Sequence, residues 1–120
     1  MPTITHKLVF AAAPGRTAVP ELEIAGTPLT RMRGLLGRKE FPAGRGLLIT
    51  HCDGIHMFFM RFAIDAVFLD GEMRVLKICR NLRPWRVAWR PGARAVLELP
   101  AGGADALRPG DLLALVPRDG

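Results

Sequence analysis

The sequence predicts a mainly β protein, a single compact antiparallel barrel-like or sandwich domain with one short helix. Turn residues recur at short intervals, and the segments between them are short and rich in Val, Ile, Leu and Phe. Hydrophobic residues make up 49% and charged residues 23% of the 120 positions, which is typical of one globular domain. We therefore treat residues 1–120 as a single domain.

The candidate strands follow this alternation of apolar segments and turns. The most secure pairing is a hairpin at Asp70-Gly71, because these residues suit a tight turn between two apolar segments. The predicted strands are Lys7–Ala11, Glu21–Ala25, Gly46–Thr50, His56–Phe62, Ala66–Asp70, Met73–Cys79, Ala95–Leu99 and Asp111–Val116.

Two further local signals complete the predicted elements. In Arg108-Pro109-Gly110-Asp111, Pro presets one central φ and Gly supplies the positive φ that follows, which predicts a second tight turn. The segment Thr27–Leu36 predicts the one helix, because Thr27 can cap it, Pro28 suits its first position and Gly37 can end it.

The charge pattern favours an anionic partner. Seventeen basic and 11 acidic residues leave a net charge of +6, and no acidic residue lies between Glu72 and Glu98. Within that window, Arg80–Arg94 contains two prolines and cannot be one basic helix, so we expect an extended arm over the sheet. Its alternation of Trp85 and Trp89 with arginines is typical of single-strand nucleic-acid platforms, although the tryptophans could instead pin the arm to the barrel.

The cysteine content and the amino-terminal segment indicate in which cellular compartment the protein is expected. Two cysteines are too few for a disulfide framework, which favours reducing surroundings. The first residues lack the long apolar region of a signal peptide, and no stretch is long enough for a spanning helix. We therefore expect a soluble cytoplasmic protein without a membrane span.

The segment His51–Asp70 has the most unusual composition. If His56–Phe62 is a strand, both of its faces are mostly apolar, and the strand is buried on both sides. The guanidinium of Arg61 at its end then needs acceptors, and we expect it to pair with Asp65 or Glu98.

Between Thr27 and Val116 four groups of motif residues occur in order along the chain. They are Arg33, Gly34 and Leu35; His56, Phe58, Phe59, Met60, Arg61, Ile64 and Asp65; Leu97, Glu98, Leu99, Pro100, Ala101 and Gly102; and Gly110 and Asp111. In these motifs the sequence resembles the Domain of Unknown Function 192 family of bacterial and archaeal proteins. The resemblance implies a compact, mainly β domain and no agreed activity.

Each type of catalytic or metal site is incomplete in this sequence. His51, Cys52, Asp53 and His56 are metal-ligand types at close spacing, but no second pair completes four ligands, so we expect no metal and no other cofactor. The chain has no serine, which leaves Cys52 as the one plausible nucleophile, and a lone Cys is more often a buried apolar residue.

A pair of carboxylates is the remaining basis for an enzyme. Asp65 and Glu98 could divide acid and base roles if they were brought together. However, Glu98 lies between Leu97 and Leu99 in a predicted alternating strand. We therefore expect it on the face opposite the core, solvated or ion-paired.

The sequence favours a non-catalytic binding or accessory module that takes an unknown small ligand or a protein. We expect a monomer or a weak dimer. The alternatives are an enzyme that uses the same polar cluster for acid/base chemistry on a small substrate, and nucleic-acid binding through Arg80–Arg94. The predicted ligand-binding residues are His56, Arg61, Asp65 and Glu98 in a polar groove, with Trp85 on the bordering arm.

Overall fold

A computed structural model describes residues 3–27, 30 and 34–118 of the chain. The described residues form one seven-stranded sheet and one two-stranded sheet. The strands are β1 (Ile4–Phe10), β2 (Ala13–Ala25), β3 (Arg45–Thr50), β4 (Gly54–His56), β5 (Ile64–Leu69), β6 (Val75–Leu82), β7 (Val87–Trp89), β8 (Ala95–Pro100) and β9 (Leu113–Pro117).

The large sheet has the strand order β6-β5-β8-β3-β2-β1-β9, and β4 pairs with β7 in the small sheet. The mainly β prediction is confirmed, but the sheet is not wholly antiparallel, because β2 and β3 run parallel. A hairpin turn cannot join parallel neighbours. Here the long connection over residues 26–44 returns the chain to the same end of the sheet.

The central strands of the large sheet are buried on both faces. In β5, Val67 and Leu69 belong to one apolar cluster, whereas Ala66 and Phe68 belong to a second cluster on the opposite face. The second face is covered by an additional layer, so strand alternation does not separate core from solvent here. Buried residues of that layer include Leu35, Met57, Ala88 and Ala93.

The sheet curls until its two edge strands approach each other at one end. An isolated bridge joins Arg74 to Leu112, beside β6 and β9. Val75 N donates to Asp111 O at 2.8 Å, and Leu113 N donates to Met73 O at 3.0 Å. Among the described residues no continuous ladder closes the sheet, so the architecture is sandwich-like rather than a closed barrel.

Both predicted turns are confirmed by their pairing. At the β5–β6 hairpin, Leu69 pairs with Val75, and the Asp70 carboxylate accepts the backbone N–H groups of Glu72 and Arg74. These bonds lower the pKa of Asp70 below its ordinary value. The left-handed residue of this hairpin is Met73 and not Gly71. At the second turn, Gly110 has a φ of 95° and Asp111 N donates to Arg108 O.

One predicted strand is wrong, and the predicted arm has more regular structure than expected. The strand predicted over His56–Phe62 ends at His56, because the chain then turns through Phe59 with a φ of 65°. The predicted arm Arg80–Arg94 instead contains the end of β6 and all of β7. Its middle therefore forms the small sheet with β4 and packs through Ala88 over the second face of the large sheet.

Half of the predicted helix Thr27–Leu36 falls on residues 28, 29 and 31–33, which lie outside the described residues. At its two ends the local geometry is described. Thr30 N donates to the Thr27 hydroxyl at 3.2 Å, and Gly34 N donates to Thr30 O at 2.9 Å. Gly37 has a φ of 82°, a conformation that suits glycine.

Replacing Gly46 with alanine is expected to destabilise the protein by about 1–3 kcal/mol through overpacking. A Cβ at this position in β3 would lie 2.8 Å from Val19 Cγ1 and 3.0 Å from Leu99 Cδ2. Gly15→Ala in β2 is the matched control, since no atom lies within 4 Å of the corresponding Cβ. Denaturant unfolding followed by circular dichroism would measure both, and equal stabilities would contradict the prediction.

Candidate functional site

Asp65 is a buried structural anchor. Its carboxylate accepts the backbone N–H groups of Asn81 at 2.9 Å, Gly102 at 3.1 Å and Ala104 at 3.1 Å. Asn81 and Gly102 both have positive φ, so the carboxylate fixes two unusual backbone positions. It ties β5 to the end of β6 and to the turn after β8. Because its oxygens accept three backbone N–H groups, Asp65 has a structural role.

Glu98 lies on the opposite face of the large sheet from Asp65. In the β5–β8 register, Asp65 is paired with Leu99 and Ala66 is paired with Glu98, and paired residues share a face. The alternative in which the two carboxylates divide acid and base roles therefore does not hold, because the sheet separates them.

Glu98 is also buried rather than solvated, contrary to expectation. The second layer covers its face of the sheet, so the residue is enclosed although it alternates with core leucines. Burial raises the pKa of Glu98 to about 7, and the positive charge of Arg38 partly opposes this rise.

A second buried carboxylate lies in the same row of side chains. The strand registers place Glu23, Leu47, Glu98 and Ala66 side by side across β2, β3, β8 and β5. The guanidinium of Arg38 binds Glu23 in a bidentate pair, with N···O distances of 3.1 and 2.7 Å. Glu23 and Arg38 are not among the predicted site residues, because their separation along the chain gives no pairing signal.

Arg61 is exposed on the turn after β4. Among the described residues, none of its guanidinium nitrogens pairs with a carboxylate. The predicted pairing with Asp65 or Glu98 is therefore wrong, because the expected strand becomes a turn that carries the side chain to solvent. His56 is exposed as well, so the four predicted groove residues do not converge.

The small sheet presents an exposed face instead. In its register, Ile55 pairs with Ala88, and both residues pack against the second apolar cluster. The neighbouring pairs, His56 with Val87 and Gly54 with Trp89, must therefore point outward. This outward face carries His56, Val87 and Trp89.

The same face continues into a cluster of rings. The His56 ring stacks on Phe58 with centroids 4.8 Å apart, and Trp85 lies 5.9 Å from Phe58 and 4.9 Å from Phe59. Phe59 is 70% exposed, Trp89 62%, Trp85 59% and Phe58 40%. We call His56, Phe58, Phe59, Trp85 and Trp89 the aromatic stripe. Of the five predicted ligand-binding residues, His56 and Trp85 belong to it.

Two rings of the aromatic stripe sit on strained backbone. Phe59 has a φ of 65° and Trp85 a φ of 72°, which large side chains rarely adopt. Buried Met57 holds both turns, since its carbonyl accepts the N–H of Trp85 at 2.7 Å and its own N–H donates to Arg86 O at 2.7 Å. Such strain is concentrated at functional sites.

Positive charge surrounds the aromatic stripe along the chain. Arg61, Arg83 and Arg86 are exposed. Among the described residues no side-chain hydrogen bond or ion pair engages their guanidinium groups. Neither residues 54–64 nor residues 73–97 include an acidic side chain. The arrangement favours contact with a negatively charged group.

The remaining candidates for chemistry lie elsewhere. Cys52 is half-buried, and its thiol donates to Gly54 O at 3.0 Å. Within the described ranges no group of three His, Cys, Asp or Glu side chains could hold a metal ion, and the expected lack of zinc stays a prediction. An open depression between residues 50–53, 70–73 and 92–95 contains none of the five predicted ligand-binding residues.

Comparison with known proteins decides the family. The model of the DUF192 family, described as an uncharacterized ACR, matches residues 9–115. The chain belongs to the DUF192 family. The resemblance predicted from its motifs is confirmed, and family membership brings a fold without an assigned activity.

Two archaeal relatives carry the name UPF0127 protein. The Pyrococcus horikoshii protein PH1112 is 35% identical over 94 residues, which cover 74% of this chain and 80% of that protein. The Thermococcus sibiricus protein is 34% identical over 98 residues, which cover 78% of this chain and 63% of that longer protein. Both are similar to this DUF192 chain over most of its length.

Two solved structures share the DUF192 fold described above. A protein of unknown function from Novosphingobium aromaticivorans superposes with a TM-score of 0.77 and 23% identity, over 92% of this chain and 83% of its own. A Sinorhizobium meliloti protein named "putative transcription regulator" superposes with a TM-score of 0.80 and 25% identity, over 96% of each chain. The chain is thus similar to both along nearly its whole length.

No helix among the described residues combines the length and the apolar composition needed to cross a membrane.

Proposed function

We propose that this protein is a non-catalytic binding module that holds an anionic partner on the aromatic stripe. The observation that carries the proposal is the exposure of four large rings, two of them on strained backbone, in segments without acidic residues. Exposed apolar patches of this kind mark interaction sites. The flanking arginines set the sign of the partner's charge.

The enzyme alternative loses its support. It required His56, Arg61, Asp65 and Glu98 to converge in a concavity. Asp65 is occupied by three backbone amides, and Glu98 lies on the other face of the sheet. The binding surface therefore moves from the expected polar groove to the aromatic stripe, and Trp85 becomes its central residue.

Linear inorganic polyphosphate, a polyanion without rings, tests this proposal by isothermal titration calorimetry at low salt. Arg83→Ala/Arg86→Ala should weaken binding about tenfold and reduce the slope of log K against log salt by about 1 per arginine. Arg16→Ala/Arg118→Ala is the matched control, because it removes the same charge from exposed positions on β2 and just after β9. It should bind as the wild type does.

Equal weakening by both double variants would contradict the proposal, since binding would then depend on net charge alone. An absence of polyphosphate binding by the wild type would also contradict it.

A further inference from the structure

We infer that the anionic partner is a single-stranded nucleic acid whose bases stack on the aromatic stripe. The inference rests on the proposed function and adds the chemical class of the partner. The first observation is that the exposed rings are not covered by the rest of the protein. Phe59, Trp85 and Trp89 each leave more than half of their surface in water, and the described chain does not cover them. A partner with flat apolar faces would cover them best.

The rings are arranged as a series rather than as a single pocket. Trp89 lies at one end on β7, followed by Val87 and His56 on paired strands, and Phe59 lies at the other end beside Trp85. Successive bases of an extended strand offer successive flat faces to such a series.

Arginines are interleaved with these rings along the chain. Arg83 and Arg86 flank Trp85, and Arg90 follows Trp89. A nucleic-acid strand likewise combines a phosphate with a base in every unit. Planar rings that accept bases and guanidinium groups that neutralise phosphates form the usual surface for single-strand binding.

The geometry distinguishes a single strand from the other anionic partners. A duplex hides its base faces, and a protein that reads it inserts a helix or ribbon into a groove. A membrane-binding surface of the interfacial type is the apolar face of an amphipathic helix, whereas the aromatic stripe lies on two short strands and the turns beside them, next to one exposed valine, Val87. Stacking therefore agrees best with the residues present.

The backbone around Met57 holds the rings ready for contact. Met57 is fully buried, and two of its backbone hydrogen bonds, both 2.7 Å long, connect it to the turn that carries Trp85, while its carbonyl also accepts the N–H of Met60 across the turn that carries Phe59. Rings fixed in this way lose little conformational freedom when a base stacks on them.

Intrinsic fluorescence gives a direct assay, because the chain's two tryptophans, Trp85 and Trp89, both lie in the aromatic stripe. An oligothymidylate of about 12 nucleotides is expected to quench this fluorescence and to bind with micromolar affinity near 0.1 M salt. An abasic oligomer with the same number of phosphates should bind about tenfold more weakly, because it offers charge without stacking.

Ring-removing variants locate the contact, with binding of a labelled oligothymidylate followed by anisotropy. Trp85→Ala and Phe59→Ala should each lower affinity about tenfold, whereas Trp85→Phe should retain most of it because a ring remains. Leu115→Ala, which removes an exposed apolar side chain from β9, is the matched control and should bind as the wild type does.

The outcomes separate the inference from the proposed function. Equal binding of the abasic and thymidylate oligomers would overturn the stacking inference and leave the anionic-partner proposal standing. Tighter binding of a duplex, or of phosphatidylserine vesicles, would overturn it in favour of that partner. If neither oligomer nor polyphosphate binds, both proposals fail.

Discussion

Replacing Asp65 with alanine is expected to lower the free energy of unfolding by about 3–5 kcal/mol. The substitution removes a charged acceptor from three backbone N–H groups, at Asn81, Gly102 and Ala104, in a site with almost no access to water. Buried donors without acceptors keep their full desolvation penalty. This loss is large beside the roughly 5–15 kcal/mol that stabilises a typical domain.

Denaturant unfolding followed by circular dichroism measures the effect. Asp105→Ala is the matched control, because Asp105 lies in the same turn but is exposed, with only a 3.9 Å ion pair to Arg80. It should change stability by about 0.5 kcal/mol or less. If Asp65→Ala does not fold, Asp65→Asn keeps one carbonyl acceptor and should give a smaller, measurable loss.

Arg61 provides a second comparison. Because its side chain is exposed and separate from Asp65, Arg61→Ala should be nearly neutral. The two substitutions should add in the double variant. A strong coupling between them, or a neutral Asp65→Ala, would contradict the role given to Asp65.

Replacing Glu98 with glutamine is expected to stabilise the protein at alkaline pH and to flatten its pH dependence. Burial raises the pKa of Glu98 from an ordinary 4.5 to about 7 in the folded protein. Below pH 4.5 the carboxyl is protonated in both states, so its contribution to stability is fully present. As pH rises toward 7 the unfolded chain ionises first, and stability falls.

Above pH 7 the folded protein carries a buried negative charge at a cost of about 3 kcal/mol relative to acid conditions. The stability of Glu98→Gln relative to the wild type should therefore rise by about 2–3 kcal/mol between pH 5 and pH 8. Glu40→Gln, at an exposed position, is the control and should follow the wild type. A difference for Glu98→Gln that does not change with pH would show that the carboxyl titrates normally.

The parts of the fold that the sequence predicts are those with local signals. Asp70-Gly71 and Pro109-Gly110 mark two turns, and apolar segments mark the central strands. The missed strand β7 has three residues between Pro84 and Pro91, too short for a pattern to emerge. The long β2 was predicted only in part, because Pro14, Gly15 and Pro20 interrupt its composition.

The candidate site was harder to predict because it depends on non-local packing. Glu98 is buried because a second layer covers its face of the sheet. The alternation of residues within one strand does not reveal where that layer runs. Phe59 and Trp85 adopt left-handed backbone that their residue types disfavour, and backbone hydrogen bonds of buried Met57 help to hold both turns. Two sequence signals indicated parts of the aromatic stripe: the Trp and Arg alternation of residues 83–90, and the unusual composition of His51–Asp70, which contains His56.

The curl that joins β6 and β9 also bears on self-association. A free strand edge can template pairing with another chain and so start aggregation. The Arg74–Leu112 bridge occupies the beginning of the β6 edge, and farther along it Lys77 and Arg80 are exposed. Arg80 also donates to the carbonyls of Ala104 and Leu107, which holds a turn next to this edge. Charge and a covering turn thus protect the sheet where its own hydrogen bonding stops.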